Sequence, residues 1–129
     1  MSTSEAVTNG IRVEVRSEYV PEQSEPEAKR WFFAYHIRIT NETGGTVQLI
    51  SRHWIITDSD GNEEQVRGEG VVGLQPILEP GATHEYTSFC PLSTSFGTMS
   101  GSYRMRDSDG GMFDAAIATF TLSEPFAIN

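Results

Sequence analysis

The sequence predicts an all-β protein, an antiparallel β-sandwich of about seven strands of immunoglobulin or fibronectin type III kind. Three observations carry that expectation. Apolar and polar residues alternate with period two in "IRVEVRSEYV", as in a half-buried strand. Turn signals rich in Gly, Asn, Asp and Pro recur at roughly the 8 to 12-residue interval of sandwich strands. No segment shows a convincing amphipathic helical period. A small barrel is the alternative architecture with the same signals. The 129 residues match one domain, long enough to bury about two-thirds of its unfolded surface without metals or disulfides. A single domain over 1–129 is therefore expected, with residues 1–10 as a flexible N-terminal tail.

In "IRVEVRSEYV", Ile11, Val13, Val15 and Tyr19 share one face, and Arg12, Glu14, Arg16 and Glu18 the other. The acidic, proline-containing "PEQSEPEAKR" interrupts the chain. "WFFAYHIRIT" then supplies aromatic and β-branched strand formers up to Asn41, and "NETGG" turns it. "TVQLISRHWIIT", "DSDGN" and "EEQVRG" read as strand, turn and strand, with Asp60, Gly61 and Asn62 tolerating positive φ. Pro76, Pro80 and Pro91 rule a helix out of "LQPILEPGATHEYTSFCPL", because each proline costs a helix interior about 3 kcal/mol. "GTMSGSYRMR" and "GMFDAAIATFTL" flank a second turn, "DSDGG", and complete the strand count.

Charge excludes some functions. Nine Lys and Arg stand against 18 Asp and Glu, a formal net charge of −9, which repels phosphate backbones and anionic lipid heads. The arginines are scattered among acids rather than gathered in a patch, so neither nucleic acid nor membrane is an expected partner. Cys90 is the single cysteine; no internal disulfide can form, and a reducing compartment is the usual setting. "MSTSEAVTNGIRVEV" has no basic segment leading into an apolar stretch, and no run reaches the roughly 18 apolar residues of a membrane span. A cytoplasmic location is expected.

The sharpest motif is "RGEGVVG", in which Gly68, Gly70 and Gly73 have GxGxxG spacing. In dinucleotide folds such glycines end a strand and open a helix whose N-terminal amides hold the pyrophosphate. Here "LQPILEPG" follows, and its prolines forbid that helix, so the glycines are expected to serve a bulge, a bend or a close backbone approach. "DSDGNEEQVRGE" imitates the ends of a calcium loop, but Glu63 stands where the required sixth-position glycine belongs. The DSDG turns are read as solvated hairpin turns, with weak cation association through Asp58, Asp60, Asp107 and Asp109 the lesser alternative. His36, His53 and His84 fall in three different predicted strands and form no zinc spacing. No nucleophile elbow is present, and Cys90 between Phe89 and Pro91 reads as a packed or partly covered thiol. No catalytic residue, metal ligand or cofactor is expected. Trp31, Phe32, Phe33 and Tyr35 place aromatic side chains on both faces of one strand, one set in the core; for the other, sheet-to-sheet packing is the main expectation and an exposed patch for a partner the lesser alternative.

The block "GEGVVGLQPILEPGATHEYTSFCPLSTSFGTMSGSYRMR" resembles the signature of the ApaG family. It joins a GxGVVGxQPxLxPG core, from Gly68 through Gln75, Pro76, Leu78 and Pro80 to Gly81, with Tyr86, Ser88, Pro91, Leu92, Gly97, Met99, Gly101 and Tyr103. The upstream "RHWIITDSDG" resembles that family's hairpin. The resemblance implies a fibronectin type III-like sandwich and, because similar domains occupy the substrate-receptor position of eukaryotic F-box proteins and occur in a polymerase-delta-interacting protein, a protein–protein interaction role. It also implies an indirect link to cobalt or magnesium homeostasis.

The function expected is a non-catalytic binding module for a protein partner, monomeric or weakly homodimeric. Its expected surface is Arg67, Gly68, Gly70, Gly73, Gln75 and Pro76, where small residues let another backbone approach closely. The alternative is nucleotide or dinucleoside polyphosphate binding by the Gly68–Gly73 amides, with Arg67 assisting; Glu69 would repel the phosphates.

Overall fold

A computed structural model of the chain describes residues 2–125. Nine antiparallel strands account for most of them: β1 (Ser2–Thr8), β2 (Ile11–Tyr19), β3 (Trp31–Asn41), β4 (Val47–Asp58), β5 (Glu63–Glu69), β6 (Ile77–Leu78), β7 (Thr83–Leu92), β8 (Phe96–Arg106) and β9 (Met112–Ser123). The acidic interruption after β2 forms two single-turn 3-10 helices, Pro21–Gln23 and Pro26–Ala28, each opened by a proline whose missing N–H would have no partner there. The strands lie in two sheets. One has the order β1-β2-β3-β7; the other has the order β5-β4-β8-β9, with the two-residue β6 also paired to β4. The sandwich expected from the sequence is the fold observed.

Two strands exceed the expected seven. The short β6 hides inside the proline-rich segment. The other is a correction to the flexible tail expected over residues 1–10: within the described residues Ser2–Thr8 is a strand that pairs along its length with Ile11–Ser17. The turn between them is Asn9-Gly10, with φ of 48° and 79°. Positive φ at both central residues is what a two-residue type I′ hairpin demands, and Asn-Gly meets it at least cost.

Alternation builds the core. Ile11, Val13 and Val15 of β2, and Phe33, Tyr35, Ile37 and Ile39 of β3, face Met99, Tyr103 and Met105 of β8 and Ile117, Phe120 and Leu122 of β9. Trp54 of β4 sits among them, edge-on to Tyr35, Tyr103 and Phe120 at centroid distances of 5.3, 6.3 and 6.0 Å. Such geometry adds about 0.5–1.5 kcal/mol per pair beyond burial. On the outer face, Phe32 stacks on Phe89, which is 54% exposed, so the aromatic run does divide between two faces. Trp31 packs at the core's margin, its indole N–H donating to Glu124 at 2.9 Å.

The sandwich's two open sides differ. Along β1 and β9, small hydroxyl residues stitch the sheets: Ser4 donates to the Ala118 carbonyl at 2.8 Å, while Ser2 and Thr8 accept from the Thr121 and Ala116 amides. The opposite side, between edge strands β5 and β7, has a cleft of about 300 Å³ lined by Tyr35, Arg52, Trp54, Val66, Ser88 and Cys90 among others.

Candidate functional site

The expected surface, Arg67 to Pro76, leaves the end of β5 and folds back toward β4. Its tip is a tight turn in which Val71 and Leu74 exchange backbone hydrogen bonds of 2.7 and 3.0 Å. Val72 and Gly73 occupy the turn's centre at φ 47° and 79°. Gly73 fits that conformation; Val72, β-branched, is strained in it. β4 clamps the rest of the segment. Its register shifts between Leu49 and Ser51, a bulge that frees the Ile50 carbonyl to accept both the Gly70 amide and the Gln75 side-chain amide, each at 2.9 Å. Gln48 donates to the Gln75 carbonyl at 3.2 Å, and the Leu49 amide to the Pro76 carbonyl at 3.0 Å.

Each glycine of the GxGxxG spacing meets a separate demand. A Cβ on Gly70 would stand 2.2 Å from the Leu74 carbonyl oxygen, and on Gly68 within 2.7–2.8 Å of the Arg52 guanidinium; on Gly73 it would meet nothing within 4 Å, so there only φ matters. The amides that a pyrophosphate would need at Gly70 and Val71 are already donated to Ile50 and Leu74. Arg67 is exposed and adjacent to Gly68 on a strand, so it projects from the opposite face of β5. The structure thus brings Gly70, Gly73, Gln75 and Pro76 together on one clamped loop and separates Arg67 from them. The loop presents Val72, Leu74 and Ile77, exposed by 65%, 56% and 65%.

Composition and spacing did not point to the polar row inside the sandwich. Arg52 lies across from Gly68 on β5 and Tyr103 on β8, and because directly opposed residues share a face, its side chain enters the interior beside buried Tyr103. Its Nη1 donates to the Glu69 and Gly70 carbonyls, both at 3.0 Å. From the other sheet come Tyr35, Tyr86 and Ser88. The Tyr86 and Tyr103 hydroxyls hydrogen-bond to one another. Burial raises the pKa of Tyr35, Tyr86 and Tyr103, and the nearby Arg52 charge opposes that rise at all three. These phenols stay protonated at neutral pH.

Nothing in these surroundings activates Cys90. It is 3% exposed, and burial together with the Glu64 charge pushes its thiol up to about 12, far from the range of reactive cysteines. The packed thiol expected from the sequence is observed. In the two DSDG turns the first aspartate serves the turn itself. Asp58 accepts from the Asp60 and Asn62 amides and from the Asn62 side chain, and Asp107 from the Asp109 and Gly111 amides. Among the described residues no group of three or more His, Cys, Asp or Glu is placed to hold a metal ion. No helix there is long and apolar enough to cross a membrane.

Comparison with known proteins places this geometry. The profile of the ApaG domain matches residues 21–107. The chain is 54% identical to protein ApaG of Anaeromyxobacter dehalogenans strain 2CP-C over 98% of its own length and 99% of the relative's. It is 50% identical to protein ApaG of Brucella suis biovar 1 over 93% and 92%. A crystal structure of a Bordetella pertussis protein superposes with a TM-score of 0.87 at 51% identity, covering 89% of this chain and 94% of that one. The C-terminal domain of wzt, at a TM-score of 0.56 and 9% identity over 98% of this chain and 80% of that one, shares the fold alone. With the profile, relatives at about half identity along nearly the whole chain and the superposed crystal structure in agreement, the chain belongs to the ApaG family.

Proposed function

We propose that the protein is a non-catalytic module that engages a protein partner through the clamped loop from Gly68 to Ile77. The observation that carries this reading is the exposure of Val72, Leu74 and Ile77 on a segment held rigid by β4. Three large aliphatic side chains within six residues are poorly solvated, and a rigid loop that holds them loses little entropy when it docks. Strain at Val72 points the same way: an Asn or Gly would suit its φ better, so the valine side chain does something that stability does not reward.

In this reading the protein works in the cytoplasm, as a monomer or weak homodimer. Any influence on cobalt or magnesium homeostasis runs through the partner, because the turn aspartates Asp58 and Asp107 are occupied by backbone amides. A photo-crosslinking residue in place of Leu74, compared with one at exposed Glu85 on the other sheet, tests the proposal in growing cells. The expected result is a discrete adduct from position 74, absent from position 85 and abolished by Val72→Asp in a variant that keeps its unfolding temperature. Identical adducts from both positions, or none from 74, would overturn it.

A further inference from the structure

We propose that the cleft between β5 and β7 binds a small organic carboxylate, with Arg52 receiving the anionic head and Trp54, Val66 and Met99 covering the apolar body. This rests on the Arg52 guanidinium and the cleft walls rather than on the exposed Val72, Leu74 and Ile77 of the docking loop, and stands or falls separately. Arg52 is unusual among the cations of this acidic chain. Of the described lysine and arginine side chains that pair with no carboxylate, it alone is not exposed, the others being Arg16, Lys29, Arg38, Arg67 and Arg106. Arg52 is half-buried rather than enclosed and its Nε and Nη2 remain open to water, so it carries part of the cost of an unpaired charge, and an anion would relieve that part. The two carbonyls that accept from Nη1 satisfy its hydrogens but leave the charge unneutralised. The remaining three N–H groups, on Nε and Nη2, find no acceptor among the described residues. A carboxylate can supply both the charge and the paired acceptors that a guanidinium fork prefers.

The surroundings are built for this. Gly68 provides the space in which the guanidinium rests, since a Cβ there would overlap it at 2.7–2.8 Å. Tyr35 and Ser88, cross-strand partners lining the same cleft, offer hydroxyls, and Trp54, Val66, Phe89, Pro91 and Met99 form apolar walls. A volume of about 300 Å³ is at the small end of ligand pockets, which excludes a bulky ligand. Because the cleft opens between two edge strands, a ligand enters without separating a hydrogen-bonded pair. One cation, with the Glu64 carboxylate also lining the cleft, matches a monoanion better than a phosphate dianion.

The test is an amide and indole NMR titration of the intact chain with phenylacetate, phenyl phosphate and the neutral analogue 2-phenylethanol at millimolar concentration. The expected result is saturable shifts at Val66, Ser88, Cys90 and the Trp54 indole with phenylacetate, and binding about tenfold weaker or more with 2-phenylethanol. Arg52→Lys weakens phenylacetate binding. Since Arg52 also anchors the loop, Glu64→Gln at the exposed rim is the variant that leaves the fold alone, and it tightens phenylacetate binding about twofold or more. Absence of saturable shifts, equal binding of 2-phenylethanol, binding of phenyl phosphate alone, or an unchanged affinity in Glu64→Gln overturns the proposal.

Discussion

Replacing Val72 with asparagine should make the protein more stable, although it removes an aliphatic side chain. Val72 has φ 47° in the first central position of the Val71–Leu74 turn, and a left-handed conformation costs an L-residue with a Cβ about 1–2 kcal/mol. Asparagine escapes much of this cost through local hydrogen bonding, and Asn-Gly is the favoured pair for such a turn. Against that gain stands lost burial. Val72 is 65% exposed, so about a third of a contribution of roughly 1.5–2 kcal/mol is forfeited, about 0.5 kcal/mol. The balance is a stabilisation of about 0.5–1.5 kcal/mol, or a rise of about 2–5 °C in Tm for a chain of this size. Urea and thermal unfolding followed by circular dichroism measure it, with an unchanged urea m-value showing that the unfolded state is not responsible. Equal or lower stability in Val72→Asn would refute the reasoning and mean that the valine packs on its loop more firmly than its exposure indicates. The same variant bears on function: combined with the crosslinker at position 74, it should lose the adduct while gaining stability.

Other expectations can be checked on the same preparation. Gly70→Ala meets both the Leu74 carbonyl at 2.2 Å and a φ of 63° and should lose about 3 kcal/mol or more. Gly73→Ala, with open space and only φ against it, should lose about 1 kcal/mol; equal losses in urea melts would contradict the separate roles assigned to the two glycines. Cys90, with its thiol held up at about 12 by burial and Glu64, should carry about a thousandfold less thiolate at pH 8 in the folded protein than in urea, and iodoacetamide alkylation rates should differ accordingly. A raised folded pKa gives stability that is complete below the unfolded value near 9 and falls as pH climbs toward 12. Cys90→Ala should therefore flatten the alkaline limb of the stability curve. Asp58 shows the opposite sign: burial opposes ionisation, but the Asn62 and Asp60 hydrogen bonds prevail and lower its pKa. Its stabilisation is complete above the ordinary carboxylate range and disappears as pH falls through the folded value, so Asp58→Ala should flatten the acid limb.

The strands that the sequence revealed are those whose inner face is large and apolar. Ile11, Val13 and Val15, or Phe33, Tyr35, Ile37 and Ile39, declare one face by residue type alone. β1 does not, because its inward positions Ser2, Ser4 and Thr8 are used to reach the carbonyls and amides of β9. A strand whose contribution is side-chain hydrogen bonding has no hydrophobic period to detect, yet Asn9-Gly10 was a visible turn signal and implied a strand before it. β6 escaped for another reason: Ile77 and Leu78 pair with only Gln48 and Val47, too short a ladder to leave a pattern.

The site was legible in part, and the same physics explains both halves. GxGxxG pointed to the segment that does present unusual backbone, but the spacing conceals three unrelated demands: room for a guanidinium at Gly68, clearance for a carbonyl at Gly70 and a left-handed turn at Gly73. A phosphate cradle would require the freed amides to converge on one point, whereas here Gly70 and Val71 spend theirs on Ile50 and Leu74. Arg52 was hidden by the bulge. Val47 and Leu49 define the inner face at the start of β4, and strict alternation from them would send Arg52 outward. The register shift between Leu49 and Ser51 reverses the parity, so that Arg52 points inward with Trp54 and Ile56, and a charge that reads as solvent-facing becomes the cation of the cleft. An extra residue in one strand is not written in residue type; it is fixed by what the neighbouring strands require, here the Ile50 carbonyl that Gly70 and Gln75 both need. The bulge that clamps the docking loop is thus also what turns Arg52 inward.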